Sequence, residues 1–193
     1  MNYEKYADEF ILYRESRAIG LSTVLTWAAL LPAGCSILDL GCGSGKPLAL
    51  GLAQQGFQIY GIDASPSLLD ACQRHIPSAK LRCKEVQSLN WFDQEFDAVM
   101  AVGLIFLLPE EQQVSLIHQV VRALKVSGQF LLSAPTQVHQ WRDLLTGAQA
   151  VSLGRARYLQ IADEAGFKLS HERVDEGDNH YYGFLRTAHR DHV

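Results

Sequence analysis

The chain has 193 residues, enough for the core of one domain, and its 48% hydrophobic and 20% charged composition is that of an ordinary globular protein, far from the disordered and fibrous extremes. A formal net charge of −4 provides no concentration of Lys and Arg to grip a phosphate backbone, and no apolar run reaches the roughly 18 residues of a membrane span, so neither nucleic acid nor a membrane is the expected partner. The first residues have neither the basic start nor the apolar stretch of a signal peptide, and Cys35, Cys42, Cys72 and Cys83 have neither Cys-x-x-Cys nor zinc-finger spacing; the expectation is free thiols, no metal and a cytoplasmic location.

Residues 3–16 alternate apolar and charged positions at helical spacing, with Tyr6, Phe10 and Tyr13 on one face. A second helix is expected over 21–31, stopped by Pro32-Ala33-Gly34. From there, short β-rich runs alternate with helical stretches. Strands are expected at 36–40, 57–62, 80–86, 96–101 and 129–133, and helices at 47–55, 67–75 and 110–124, the last with Val114, Ile117, Val121 and Leu124 on one side. Residues 134–154, with Pro135, Gly147 and Gly154, read as a loop or partial helix near the carboxyl ends of the strands. A helix at 155–165 follows, then two β-rich runs at 167–174 and 180–186 separated by the turn-forming Asp175-Glu176-Gly177-Asp178-Asn179.

This alternation implies a doubly wound α/β fold of the Rossmann type: a mostly parallel seven-stranded sheet with helices on both faces and an antiparallel last strand. We expect a single domain over 1–193, in which residues 1–34 form amino-terminal helices over a core of 35–193.

Three elements carry the chemistry. The first is the loop Asp39-Leu40-Gly41-Cys42-Gly43-Ser44-Gly45, which leaves an apolar strand and enters a helix; its glycines let the backbone approach a ligand with no β-carbon in the way. The spacing is Gly-x-Gly-x-Gly, with Lys46 where a dinucleotide fingerprint needs its third glycine, and Pro47 after Gly-Lys excludes a P-loop. The second is Asp63, at the tip of the next strand, where a carboxylate accepts both hydroxyls of an unphosphorylated ribose. The third is Glu85 at the end of strand three, placed to accept an adenine amine while the Val86 amide meets the ring.

Ile37-Leu38-Asp39-Leu40-Gly41-Cys42-Gly43-Ser44-Gly45, then Tyr60-Gly61-Ile62-Asp63-Ala64-Ser65, Glu85, Phe96-Asp97-Ala98-Val99 and Leu124-Lys125-Val126-Ser127-Gly128-Gln129 together resemble the class I S-adenosylmethionine-dependent methyltransferases. The resemblance covers about residues 36–133, and the terminal hairpin matches that family's reversed last strand. It implies that Asp39 and the Gly41 carbonyl hold the cofactor's amino group and that Gly43 and Gly45 give clearance; Cys42 is counted with them in the cofactor site, read as a small packing residue and no nucleophile. It further implies that Asp63 binds the ribose, Ala64 and Leu68 line the adenine pocket, Glu85 and Val86 address the adenine edge, and Ala101 lies beside the sulfonium.

A sulfonium brings its own activation, so no triad or metal is required, and alignment alone contributes up to roughly 7–11 kcal/mol in favourable cases. Where the acceptor must lose a proton, the candidates for a base are His139, His180 and Tyr181. Relatives carry polar groups after strand four. Here the stretch is Val102-Gly103-Leu104-Ile105-Phe106-Leu107-Leu108, which suggests an apolar acceptor pocket or catalysis by proximity. Trp27, Trp91 and Trp141 are candidates for an aromatic wall, with core packing expected for at least two. The reading is therefore a methyltransferase converting S-adenosyl-L-methionine to S-adenosyl-L-homocysteine on a small O, N or S acceptor, as a monomer or weak homodimer. Two alternatives remain: a catalytically inactive binding module that keeps the cofactor cradle, and a nicotinamide-dependent oxidoreductase, disfavoured by Lys46 and the closing hairpin.

Overall fold

The computed structural model describes residues 3–15 and 17–187. A 3₁₀ turn at Glu4–Tyr6 leads into α1 (Ala7–Glu15), so the expected first helix is present; its last position, Ser16, lies outside the described residues. Next come α2 (Leu21–Ala28), β1 (Ser36–Leu40), α3 (Leu48–Gln54), β2 (Gln58–Asp63), α4 (Pro66–His75), β3 (Lys80–Cys83) and β4 (Phe96–Ala101). Then follow α5 (Glu110–Ala123), β5 (Leu124–Ser133), β6 (Val138–Arg142), β7 (Gln149–Leu153), α6 (Arg155–Ala165), β8 (Phe167–Val174) and β9 (His180–Arg186).

Seven strands form one sheet in the order β3-β2-β1-β4-β5-β9-β8. The pairs from β3 through β5 are parallel, while β9 runs antiparallel to both β5 and β8. The expected doubly wound sheet with its reversed last strand is thus present, and the last strand is inserted inside the sheet rather than added at its edge.

Period-2 alternation sends successive side chains to opposite faces. Leu38, Leu40, Val99, Phe130 and Leu132 point to the layer of α5 and α6, where Leu116, Ile117, Val120, Tyr158 and Ile161 complete a buried cluster. Ile37, Ile59, Met100 and Leu131 point to the layer of α2, α3 and α4, against Trp27, Leu52 and Cys72. The same alternation carries Asp39, Val102 and Ser133 onto the second face at the carboxyl edge of the sheet. Because β9 is antiparallel and pairs Tyr181 with Ser133, Tyr181 arrives at that edge as well.

Several expectations are corrected. Residues 134–154 are neither loop nor helix: β6 and β7 form a separate two-stranded antiparallel hairpin. Gly147, at φ 68°, is part of its turn, and the turn is closed by the Asp143 carboxylate, which accepts bonds from Thr146 N at 2.7 Å and Thr146 Oγ1 at 2.6 Å. The residues that read as helix breakers are therefore the punctuation of a hairpin.

On α5 the buried positions are Gln113, Leu116, Ile117 and Val120, while Val114 and Val121 flank them and Leu124 begins β5. The stripe is rotated because Gln113 is fully engaged inside. Its Nε2 donates to the carbonyls of Leu108 and Val151 at 2.8 and 2.9 Å, and its Oε1 accepts from Tyr158 Oη at 2.8 Å. Hydropathy alone ranks glutamine as a surface residue, so this face was missed. Strand β3 also ends at Cys83, because as an edge strand it pairs only with β2.

Candidate active site

The carboxyl ends of the parallel strands open into a cavity of about 750 Å³, within the range of small-molecule sites. It lies outside β1, β2 and β4, where the strand order reverses direction about β1. One wall is the glycine loop with Asp39, Gly41, Cys42, Gly45 and Lys46; beside it stand Asp63 and Leu68. The opposite wall is Val102 to Leu104, Phe106, Leu107 and Ser133, and the roof combines Tyr3, Phe10, Tyr13 and Arg14 of the first helical segment with Trp141 and residues 143–145 of the hairpin.

The loop keeps its shape through Asp63. Gly43 N donates to Asp63 Oδ2 and Ser65 N to Asp63 Oδ1, each at 2.9 Å, and the Ala64 amide bonds the same carboxylate. With about four acceptor positions, the carboxylate keeps capacity for a ligand hydroxyl. Gly43 has φ 53°, and a β-carbon there would stand 2.9 Å from Phe10 Cε1; the bare backbone lets α1 close over the loop. Beyond Asp63, Ser65 caps α4 through a bond from Leu68 N at 3.2 Å. The Glu4 carboxylate accepts from Ser65 Oγ, from Ser67 Oγ at 2.6 Å and from Ser67 N at 3.1 Å, which ties the amino-terminal segment to the same helix start.

Asp39 is buried. Burial first, and then the neighbouring Asp63 charge, push its carboxyl well above the usual range, with Arg14 only partly opposing them. Burial likewise raises Asp63, against the amides of Ser65, Gly43 and Ala64. Two adjacent carboxyl groups held above their ordinary range at one strand edge form a site that gains from a cation. At the far end, Tyr181 Oη donates to Asp175 Oδ2 at 2.9 Å, and burial followed by that carboxylate raises the Tyr181 phenol. Asp175 also accepts from Gly177 N and Asn179 N at 2.8 and 2.9 Å, so it anchors the β8–β9 turn beside the cavity.

Of the residues singled out in the sequence, Asp39, Gly41, Cys42, Gly45, Asp63, Leu68 and Tyr181 line the cavity. Gly43 sits behind it as the amide that Asp63 holds. Ala64 follows β2, where its carbonyl accepts from Cys83 Sγ. Glu85 stands exposed beyond the shortened β3, while Val86 is buried with its carbonyl bonded to Trp91 Nε1. Ala101 is fully buried on the opposite sheet face, and Val102 to Leu104 line the cavity instead.

The histidines stand outside the cavity lining. His139 is exposed on β6 and stacks on Trp141 at 5.7 Å, and His180 Nε2 is 3.0 Å from Glu172 Oε1, a carboxylate also held bidentately by Arg155. Trp27 and Trp91 are core residues; Trp141 alone of the three lines the cavity. Tyr3, Arg14 and Asp143 went unnoticed in the sequence. None falls in a motif, and the hairpin that carries Asp143 was read as a loop.

A family profile described as a methyltransferase domain matches residues 37–128. An uncharacterized methyltransferase of Synechocystis sp. is 37% identical over 154 residues, covering 75% of this chain and 72% of that protein. A putative methyltransferase of Bacillus subtilis is 32% identical over 105 residues, which span 52% of this chain and 42% of that protein, so the chain matches less than half the length of that relative. Among solved structures, the Burkholderia thailandensis 1,6-didemethyltoxoflavin-N1-methyltransferase, with 1,6-didemethyltoxoflavin and S-adenosylhomocysteine bound, shares the fold at a TM-score of 0.74. Its identity is 14%, over 95% of this chain and 88% of that one. The chain belongs to the class I S-adenosylmethionine-dependent methyltransferases.

Proposed function

We propose that this chain binds S-adenosylmethionine in the cavity and transfers its methyl group to a small-molecule nucleophile. The observation that carries the reading is the pair Asp39, buried, and Asp63, half-buried, carboxyls at adjacent strand tips on one cavity wall with their protonation pushed upward. An adenosyl-sulfonium ligand fits this wall. Its ammonium supplies the counter-charge that Asp39 lacks, and a ribose hydroxyl meets the acceptor capacity left on Asp63. Arg14, half-buried at the roof and depressed by that burial, is placed to receive the ligand's carboxylate, and Leu68 to pack on the adenine. Glu85, as an exposed residue past β3, reaches the adenine amine only by a loop contact.

When bound, the cofactor supplies an electrophilic methyl on a sulfonium. The protein excludes water with Phe10, Leu104 and Phe106 and orients the acceptor, so its contribution is alignment. Neither His139 nor His180 is placed to take a proton from an acceptor in the cavity, and Tyr181 is committed as a donor to Asp175.

Calorimetry with S-adenosylhomocysteine and with NAD tests the cofactor: binding of the first and not the second is expected, and no binding of S-adenosylhomocysteine at millimolar concentration refutes the reading. Transfer of labelled methyl to a metabolite pool then separates an enzyme from a module that only binds the cofactor.

A further inference from the structure

The cavity has two chemically different halves. Its two cations, Arg14 and Lys46, belong to the last turn of α1 and to the glycine loop, on the side of Asp39 and Asp63. The other half, beyond β4 and β5, is walled by rings. Phe106 meets Trp141 at 5.3 Å, and Tyr3, which meets Phe10 edge-on at 5.6 Å over the glycine loop, joins this wall through its bond to Asp143. Among these rings stands one carboxylate, Asp143, and Glu9 on α1 adds a second to the lining.

Asp143 is rigidly presented. Its Oδ1 is occupied by Thr146 N and Thr146 Oγ1, and the Tyr3 phenol is bonded to the same carboxylate. Burial, and then the Asp143 charge and that bond, raise the Tyr3 phenol, which fixes it as the donor and Asp143 as the acceptor. A wall of aromatic rings around a carboxylate, with no cation beside it among the described lining residues, attracts an ammonium and repels an anion.

Resting on the cofactor reading above, we propose that the methyl acceptor is a ring-bearing small molecule carrying an amine, whose ammonium docks on Asp143 between Tyr3, Phe106 and Trp141, and that acceptors bearing a carboxylate or phosphate at that end are rejected. The ring packs on Trp141 and Phe106, and the charge lies against Asp143 at the hairpin turn. The hairpin β6–β7 is then the specificity element, because it supplies both Trp141 and Asp143.

Three matched probes test this on the wild-type protein saturated with S-adenosylhomocysteine: 2-phenylethylamine, 2-phenylethanol and phenylacetate, titrated by calorimetry. The amine is expected to bind about tenfold or more tightly than the carboxylate, with the alcohol between them. In Asp143→Asn that order should collapse to within about twofold while S-adenosylhomocysteine affinity is unchanged; in Trp141→Ala all three should weaken together with their order kept. Phenylacetate binding as well as phenylethylamine, no binding of any probe at millimolar concentration, or an unchanged order in a folded Asp143→Asn overturns the proposal. Should Asp143→Asn fail to fold, the wild-type order and Trp141→Ala decide it. Absence of S-adenosylhomocysteine binding in the first titration removes the cofactor reading and this proposal together, whereas binding with the wrong probe order removes this proposal alone.

Discussion

Asp63 has two separable duties in this structure, and removing its carboxylate should reveal both. In the unliganded protein it holds Gly43 N and Ser65 N at 2.9 Å each, charge-assisted bonds whose loss in Asp63→Ala should cost about 1–3 kcal/mol of stability after water replaces part of them. If the carboxylate also receives the ribose diol, the variant should lose about a further 2–4 kcal/mol of binding, roughly 30- to 1,000-fold in Kd for S-adenosylhomocysteine. Loosening of the glycine loop would by itself weaken binding, so affinity alone does not separate the two duties. A cycle does: the wild type and Asp63→Ala are each titrated with S-adenosylhomocysteine and with its 2′-deoxy analogue. The wild type should prefer the natural ligand by about tenfold or more, and the variant should hardly distinguish them. A variant that discriminates as strongly as the wild type would show that Asp63 only braces the loop, and the ribose assignment would fall.

Asp39 should couple ligand binding to proton release. Its raised carboxyl is protonated to higher pH in the unliganded fold than in the unfolded chain, so folding stability declines as pH rises from the ordinary carboxylate range toward the raised value. A bound ammonium favours the ionised form, so S-adenosylhomocysteine affinity should rise with pH across that window. The binding enthalpy should vary with the buffer's ionisation enthalpy, and Asp39→Asn should abolish both effects. Asp175 has the opposite sign: burial would raise it, but bonds from Asn179, Gly177 and Tyr181 together hold it below its usual range. Its contribution is therefore full above the unfolded value and lost as pH falls through the lowered folded value, which acid-side thermal melts of wild type and Asp175→Asn should show as a steeper decline in the wild type. Gln113→Leu should strand the Leu108 and Val151 carbonyls and the Tyr158 hydroxyl, costing about 2–4 kcal/mol and lowering Tm by roughly 5–12 °C, with S-adenosylhomocysteine affinity retained.

The half of the cavity built by the glycine loop and Asp63 was legible because its geometry is local. A glycine loop between a strand and a helix, and an aspartate at the next strand's tip, are fixed by neighbouring residues, and β1, β4, α6, β8 and β9 lie at the boundaries expected for them. The half toward the hairpin was not legible, because it is assembled from three distant stretches: Tyr3, Leu104 to Leu107, and Trp141 to Leu145. No periodicity links them; they meet only because α1 and an inserted hairpin fold back over the same sheet edge. The two histidines were drawn in by their position after β5 and at the start of β9, but period-2 alternation turns His180 away from Tyr181 to the Glu172 face. Gln113 shows the related failure, where a polar side chain is buried by bonds made to residues that follow it in sequence.

The insertion of β9 between β5 and β8 bears on how the protein is made. β9, which follows β8 in the chain, completes the middle of the sheet, and Tyr181 at its start closes the cavity whose roof includes Tyr3. A nascent chain that has not yet extended past β9 has an unpaired β5 edge, an exposed hydrophobic strand and no far wall to its pocket. Ligand competence and full sheet closure should therefore appear together, once β9 has emerged. A ligand of the cavity would then stabilise only chains that extend through β9.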